Sequence, residues 1–375
     1  MREGEQDRPD RLRESGHPLF SARRLKLGTF ASNVEGGTIK STIEGRAEAT
    51  WRSTKAIAEI TDSMEFEALV PLGRWRGFGG ATDHSGPNFE SYTWAAGIGA
   101  STRNSTIFAT SHVPTIHPIL AAKQGATIDH ITDGRFALNV VCGWDKQMEM
   151  FGPSLLPHAE RYAEAAEWLD IIKRLWTEEE LFDVRGKYYT INEGYLQPKP
   201  ITKPYPPIMN AGSSETGRHF AARYCDMAFL APQPLEILKK QAADFRDLAR
   251  KEYGRSIQLW TWAYVVQGDT EEDARSLYHH YVNEKGDWEA AAGQIHARGV
   301  TSPPMPSDQF RAIQEQLVAG GGIPLIGTAE QIVEGLATVV EAGLDGVLLS
   351  WPRYEEGARQ FRDQTLPMLH QTGLR

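Results

Sequence analysis

Residues 119–144, ILAAKQGATIDHITDGRFALNVVCGW, decide the fold. The segment 118–131 reads as a helix that opens with Pro118 at a first-turn position, where the missing N–H costs nothing. Residues 136–141, FALNVV, form an apolar run broken only by Asn139. Such a run, lacking the alternation of a half-solvated strand, marks a parallel strand covered on both faces. A helix followed by a buried strand is half of a βα repeat, and the rest of the chain extends it.

Working outward, short apolar runs predict strands at 25–30, 66–70, 105–111, 136–141, 207–211, 227–231, 258–266 and 345–350. Helical spacing of apolar positions predicts helices at 50–63, 118–131, 159–176, 215–224, 235–252, 270–284, 328–342 and 354–369. Eight βα units in order, joined by right-handed crossovers, predict an α/β fold of the (β/α)8 TIM-barrel class. The usual barrel needs about 250 residues, and this chain has 375. The surplus falls in insertions near 34–48, 181–196 and 285–326. The second contains FDVRGKYYTI, which reads as a hairpin turning at Arg185–Gly186. Residues 1–24 are polar and charged and predict a disordered or draped tail. Residues 25–375 then form one barrel domain.

Composition narrows the function. Lys plus Arg number 40 against 49 Asp plus Glu, a formal charge of −9, which argues against a nucleic-acid-binding surface. Two cysteines, Cys142 and Cys225, give neither a disulfide framework nor a thiolate metal site. No run approaches 18 apolar residues, so no membrane span is expected, and the charged start lacks the apolar core of a secretory signal. These features predict a cytoplasmic protein.

Barrel chemistry belongs at the carboxyl ends of the strands. The second strand runs through Val70 and Leu72 to Gly73, Arg74, Trp75 and Arg76, then to the glycine turn 77–80. The third ends at Thr110, Ser111 and His112; the fourth carries Asn139 and leads to Gly143 and Trp144. The fifth opens into Gly212, Ser213 and Ser214 at a helix start, and the eighth ends at Ser350 and Trp351. Glycine and serine before a helix suit a phosphate, which meets free N–H donors and a favourable dipole there. An ordinary N-cap explains the same residues. Arg161 and Tyr162, at the start of another helix, can add a charged fork and a hydroxyl. Asn139, polar on an apolar strand, needs a partner, which a cofactor edge or the neighbouring backbone would supply. Thr110 suits a strand on propensity alone. His112 and His117 lack an acidic partner at ligand spacing, so no metal site is expected; pocket lining and a base role both stay open. Trp75, Trp144 and Trp351 suit stacking on a planar ligand or core packing.

The motifs LKLGTFASN, AAKQGATID, GRFALNVVCGW, ERYAEAAEWLDIIKRLW, FDVRGKYYTI with LQPKPIT, and IMNAGSS together resemble the bacterial luciferase-like FMN-dependent monooxygenases over nearly the whole chain from Leu25 to Leu369. Within that family the nearest branches are the pyrimidine oxygenases, which share the RGFGG turn, and the dimethylsulfone monooxygenases, whose PNVSGG is similar to SNVEGG at 32–37. The resemblance implies a two-component enzyme that uses FMN as FMNH2, delivered by an NAD(P)H:flavin reductase, with O2 as co-substrate. It places FMN contacts on Gly73, Arg74, Asn139, Arg161, Tyr162, Ser213 and Ser214, with Thr110 and Asn139 catalytic at the oxygen site. A threonine–asparagine pair there implies a flavin N5-oxygen adduct, with the C4a-hydroperoxide as the alternative. An acidic FMN contact has no secure counterpart, and Glu149 is the nearest candidate. The pocket candidates are Val70, Leu72, Trp75, His112, His117, Trp144 and Trp351. They suit a small planar or apolar substrate whose C–N, C–S or C–halogen bond is cleaved. A homo-oligomer, dimer or tetramer, is expected. Alternatives are a deazaflavin-dependent oxidoreductase on the same barrel and a non-redox barrel hydrolase.

Overall fold

The structure, a computed structural model, describes residues 8–143, 146–152, 154–297 and 306–375. Eleven strands are found among them: β1 (Lys26–Phe30), β2 (Ala68–Val70), β3 (Thr106–His112), β4 (Phe136–Val141), β5 (Phe182–Arg185), β6 (Thr190–Gly194), β7 (Ile208–Asn210), β8 (Met227–Phe229), β9 (Gln258–Gln267), β10 (Ile323–Gly327) and β11 (Gly346–Ser350). The main sheet runs β10-β9-β11-β1-β2-β3-β4-β7-β8, and β9 also pairs with β8, which closes the ring. Eight strands with intervening helices thus make the expected (β/α)8 barrel. β10 is additional and pairs parallel with the carboxyl half of β9.

The predicted strands are all present: β4 has the expected bounds, β3 and β9 run one residue further at their carboxyl ends, and the others are shorter by one or two residues. Besides the tail helix Arg8–Glu14, three α-helices among the described residues escaped the sequence reading: Ser91–Ser101, Trp288–Ala297 and Ser307–Ala319. The first is SYTWAAGIGAS, apolar on nearly every side, so it has no polar stripe to reveal a helical period. The other two, with β10, show that the 285–326 insertion carries regular structure. The 181–196 insertion is the expected antiparallel hairpin, β5 with β6. No helix among the described residues is long and apolar enough to cross a membrane.

By internal contacts the chain falls into two compact units. The first takes residues up to 22, 90–230 and 243–259. It holds β3, β4, β7 and β8, paired in parallel from β3 through β8. Its helix Pro118–Ile131 packs Gly125 against Trp176 and Phe136, where a β-carbon would stand only 2.9 Å from the indole ring. The Trp176 Nε1–H donates to the Ala122 carbonyl at 2.9 Å, locking this helix to His158–Thr177. The segment before β1 is anchored in this unit through the short helix Arg8–Glu14. Arg8 is fully buried, and its Nε and Nη2 donate to the Asp226 carboxylate at 2.8 and 3.0 Å.

The second unit takes residues 23–89, 231–242 and 260–375. Here β1 pairs with β2 and β11, and β11 with β9, all parallel. In register, Gly28 stands beside Ala68 and Leu348, and Leu348 beside Trp262; two residues further on come Phe30 with Val70, and Ser350 with Tyr264. Side chains two apart on a strand share a face. These residues therefore form layers on one side of the sheet, and the fully buried Trp260 fills the layer below over Gly346. Leu349 projects to the other side, and Trp351, the next residue of that parity, packs its ring 5.5 Å from Tyr354 and 5.8 Å from Phe361.

Candidate active site

In the first unit, Thr110 on β3 and Asn139 on β4 are register partners, so their side chains emerge together. Both are buried, and the Asn139 Nδ2 donates to Thr110 Oγ1 at 3.1 Å. The Thr110 amide donates to the Ser91 hydroxyl at 2.5 Å. Ser91 opens the helix that the sequence reading missed, and its role had no signal in the sequence: a serine at a helix start is ordinary. The Asn139 Oδ1 is buried and has no hydrogen-bond partner. A buried amide oxygen left unpaired costs about 1–3 kcal/mol, so this acceptor has capacity for one more donor.

The second feature of this unit lies where β7 leads into the helix Glu215–Tyr224. Ser214 is its N-cap, and the Gly217 amide donates to the Ser214 hydroxyl at 3.1 Å. Asn210 shapes the approach: its Oδ1 accepts from the Gly212 amide at 2.8 Å while its Nδ2 donates to the Val140 carbonyl at 2.8 Å. Gly212 must be glycine, since a β-carbon there would stand 2.5 Å from the Tyr162 hydroxyl and 2.8 Å from the Gly217 Cα. The result is a tight cradle at a helix start, lined at Gly212 by the Tyr162 hydroxyl and the Asn210 amide oxygen. Burial, then the neighbouring Cys142, raises the Tyr162 pKa, so the phenol stays protonated and can donate. Arg161, one residue earlier, donates through Nη1 to the Gly143 carbonyl, and its buried Nε has no hydrogen-bond partner. Ser213 is exposed at the cradle's rim.

Other predicted residues of this unit take different places. His112 is buried at the end of β3. His117 is exposed; it caps the helix Pro118–Ile131, its Nδ1 accepting from the Ile119 amide at 3.3 Å, and its ring meets Tyr189 edge-on. Glu149 is exposed on the short helix Lys146–Phe151. Trp144 lies outside the described residues. Burial pushes the Cys142 thiol far up and Cys225 up to about 12, so both stay protonated thiols.

In the second unit, Asn33 holds the loop after β2 at both ends. Its Nδ2 donates to the Leu72 and Phe89 carbonyls at 2.8 and 3.2 Å, and its Oδ1 accepts from the Leu72 amide at 2.8 Å. Within the loop the buried Arg74 guanidinium lies 3.9 Å over the Phe78 ring and donates to the Arg76 carbonyl at 2.9 Å. His84 stacks against Phe78, and burial, then Lys40 and Arg74, lowers its pKa well below the ordinary range, so it is neutral. Gly80 leaves room for Asp287, which accepts from the Thr82 amide and hydroxyl at 2.6 and 2.7 Å. Gly73 is partly exposed, and Trp75 and Arg76 are exposed on the loop. Val70 is buried beside Phe30, and Leu72 is partly exposed. Trp351 is buried among Tyr354, Gly357 and Phe361 of the following helix, on the opposite side of β11 from Ser350. Phe30 and Trp262, which the sequence reading passed over as strand residues, are partly exposed on the Val70 and Ser350 side. No group of three or more His, Cys, Asp or Glu among the described residues can hold a metal ion.

Known proteins share this architecture. A dimethylsulfone monooxygenase of Pseudomonas putida described as FMNH2-dependent is 32% identical, covering 92% of this chain and 96% of its own. The pyrimidine monooxygenase RutA of Escherichia coli (strain K12) is 28% identical over 92% of this chain and 91% of its own. Among solved structures, riboflavin lyase RcaE superposes with a TM-score of 0.83 at 22% identity, covering 93% of this chain and 92% of its own. That likeness shows the shared barrel. The model of the luciferase-like monooxygenase family matches residues 25–346. The chain belongs to the luciferase-like monooxygenase family.

Proposed function

We propose that this protein is the oxygenase of a two-component system: it takes reduced FMN from an NAD(P)H:flavin reductase and uses O2 to oxygenate a small organic molecule, cleaving a C–N, C–S or C–halogen bond. The observation that carries the reading is the Thr110–Asn139 pair with its unpaired, buried amide oxygen. The residues fit the flavin. Asn139 Oδ1 would accept from an N–H of the ring system. The cradle at Gly212 would admit the phosphate, with Ser213, Ser214, Tyr162 and Arg161 as its donors, where a helix start favours an anion. The family resemblance separately implies Gly73 and Arg74 as cofactor contacts.

When bound, reduced FMN supplies the two electrons that let one oxygen atom of O2 enter the substrate while the other leaves as water. The chain's part is orientation and electrostatics. Thr110 and Asn139 hold small polar groups on adjacent strands, ready to bind dioxygen and steer it toward the substrate, and Ser91 fixes the backbone that carries Thr110. Burial of both side chains keeps water from competing for them.

The test combines fluorescence titration with FMN and turnover with flavin reductase, NADH and 18O2 against nitrogen heterocycles, sulfones and haloaromatics. Saturable flavin binding and one 18O atom per product molecule are expected. Absence of flavin binding overturns the reading.

A further inference from the structure

The hairpin β5–β6 is clasped to the helix His158–Thr177, which carries Arg161 and Tyr162, and both elements lie in the first unit. Glu160, Glu164 and Glu167 stand at i, i+4 and i+7, so they share one face of that helix. Each meets the hairpin segment 187–189. The Lys187 Nζ donates to Glu160 at 2.9 Å, and the Tyr189 hydroxyl donates to Glu164 at 3.4 Å. Glu167 receives three consecutive amides, those of Lys187 at 2.9 Å, Tyr188 at 3.1 Å and Tyr189 at 2.7 Å. A carboxylate in a nest of backbone donors makes charge-assisted hydrogen bonds, so this is the firm point of the clasp. A β-carbon on Gly186 would collide with the same carboxylate, so the turn requires glycine there. The Tyr189 ring is also met edge-on by His117, with centroids 5.8 Å apart. Glu167 thus pins the hairpin, and the pinned hairpin delivers Tyr189 to Glu164.

Arg161 is the basic neighbour of Glu164 on the helix, since residues three apart lie side by side. Its guanidinium turns instead to the Gly143 carbonyl, and its buried Nε has no hydrogen-bond partner. We propose that the hairpin withholds Glu164 from Arg161, which makes Tyr189 and Glu167 positioning residues for the anion site at Gly212 and Ser214. This rests on the flavin monooxygenase reading, in which Arg161 and Tyr162 hold the FMN phosphate. A carboxylate paired with Arg161 would occupy the guanidinium hydrogens that a phosphate needs, and its charge would repel the phosphate. Burial, then the charge of Glu164, raises the Tyr189 pKa, so the phenol keeps its proton and stays a donor.

The experiment measures FMN and riboflavin affinities of the whole chain by fluorescence titration, because riboflavin lacks the phosphate and reports the rest of the site. Tyr189→Phe should weaken FMN by roughly tenfold or more while riboflavin stays within about twofold, which also controls for folding. Glu167→Gln, which removes the charged acceptor of three amides, should act in the same direction. Adding Glu164→Gln to either variant should bring FMN affinity back to within about threefold of the parent, a recovery that general loosening of the fold would not give. Unchanged FMN affinity in Tyr189→Phe, an equal loss of riboflavin, or no recovery with Glu164→Gln overturns the proposal. Urea denaturation reads the pairing without flavin: Arg161→Ala and Glu164→Gln should shift the midpoint additively in the parent and non-additively in the Tyr189→Phe background. If the parent binds no flavin, the oxygenase reading falls and this cycle alone decides. Coupling confined to the Tyr189→Phe background then keeps the withheld carboxylate, and additivity in both backgrounds removes it. Flavin binding that is indifferent to all these variants leaves the flavin reading standing and removes the clasp from it.

Discussion

Asn139 shows how one polar residue on an apolar strand becomes informative. Its amide nitrogen is spoken for by Thr110, and its oxygen is buried and unpaired. Thr110→Val and Asn139→Ala should each lower the oxygenation rate by roughly ten- to a hundredfold, the range for losing one preorganised polar group. Flavin affinity, read by fluorescence titration, should change little in Thr110→Val. Normal 18O incorporation by both variants would remove the oxygen-site role. The phosphate cradle makes a separate prediction. Ser214→Ala combined with Arg161→Ala should weaken FMN binding by roughly a hundredfold or more, since hydrogen bonds to a charged group are worth about 1.5–3 kcal/mol each. Gly212→Ala should weaken it too, because the added methyl would displace the Tyr162 hydroxyl. Unchanged dissociation constants would place the phosphate elsewhere.

Elements explain both what the sequence showed and what it hid. The helix Pro118–Ile131 and β4 were legible because proline, helical spacing and an apolar run are local signals. The helix Ser91–Ser101 was not, because an apolar stretch without a polar face has no visible period. The polar start of the chain reads as a tail, yet its helix Arg8–Glu14 delivers a buried arginine to Asp226, which Arg255 also meets at 3.4 Å. Burial alone would raise the Asp226 pKa, but Arg8 and Arg255, with the Ile208 amide, outweigh it and hold it down at about 2. Asp226→Asn would leave both guanidinium groups buried without their counter-charge, and urea denaturation should show a loss of about 3–5 kcal/mol. His17, next to this cluster, is lowered to about 3 by burial and then by Arg8. It is neutral when folded, whereas the unfolded chain takes up a proton below pH 6.5, so stability falls as pH drops from 6.5 toward 3. Asp226 adds a second loss only below pH 4, as pH approaches 2. Between pH 6.5 and 5 the His17 contribution is about 2 kcal/mol, and His17→Phe should flatten the stability profile in that window. A variant as acid-sensitive as the parent would refute the assignment.

For the whole molecule, the oxygenase reading makes a demand that no single residue does. Product should require the reductase, NADH and O2 together, and strict exclusion of O2 should abolish it while flavin reduction continues. Anaerobic turnover with a deazaflavin would instead identify a dehydrogenase. The fold behind that chemistry was readable from the chain alone, because eight short apolar runs separated by helical patterns report burial on both faces of each strand. Candidate positions at the strand ends followed from the same pattern, as did Ser214 at a helix start. What the sequence could not decide is which side of a strand each residue faces, since shifting by one position reverses it. Ser350 and Trp351 are neighbours in the chain, but Ser350 shares a layer with Tyr264 while Trp351 packs against the helix that follows. Local pattern determined the barrel; only the tertiary structure, through register and long-range contacts such as Ser91 with Thr110, decided which side chains meet at its strand ends.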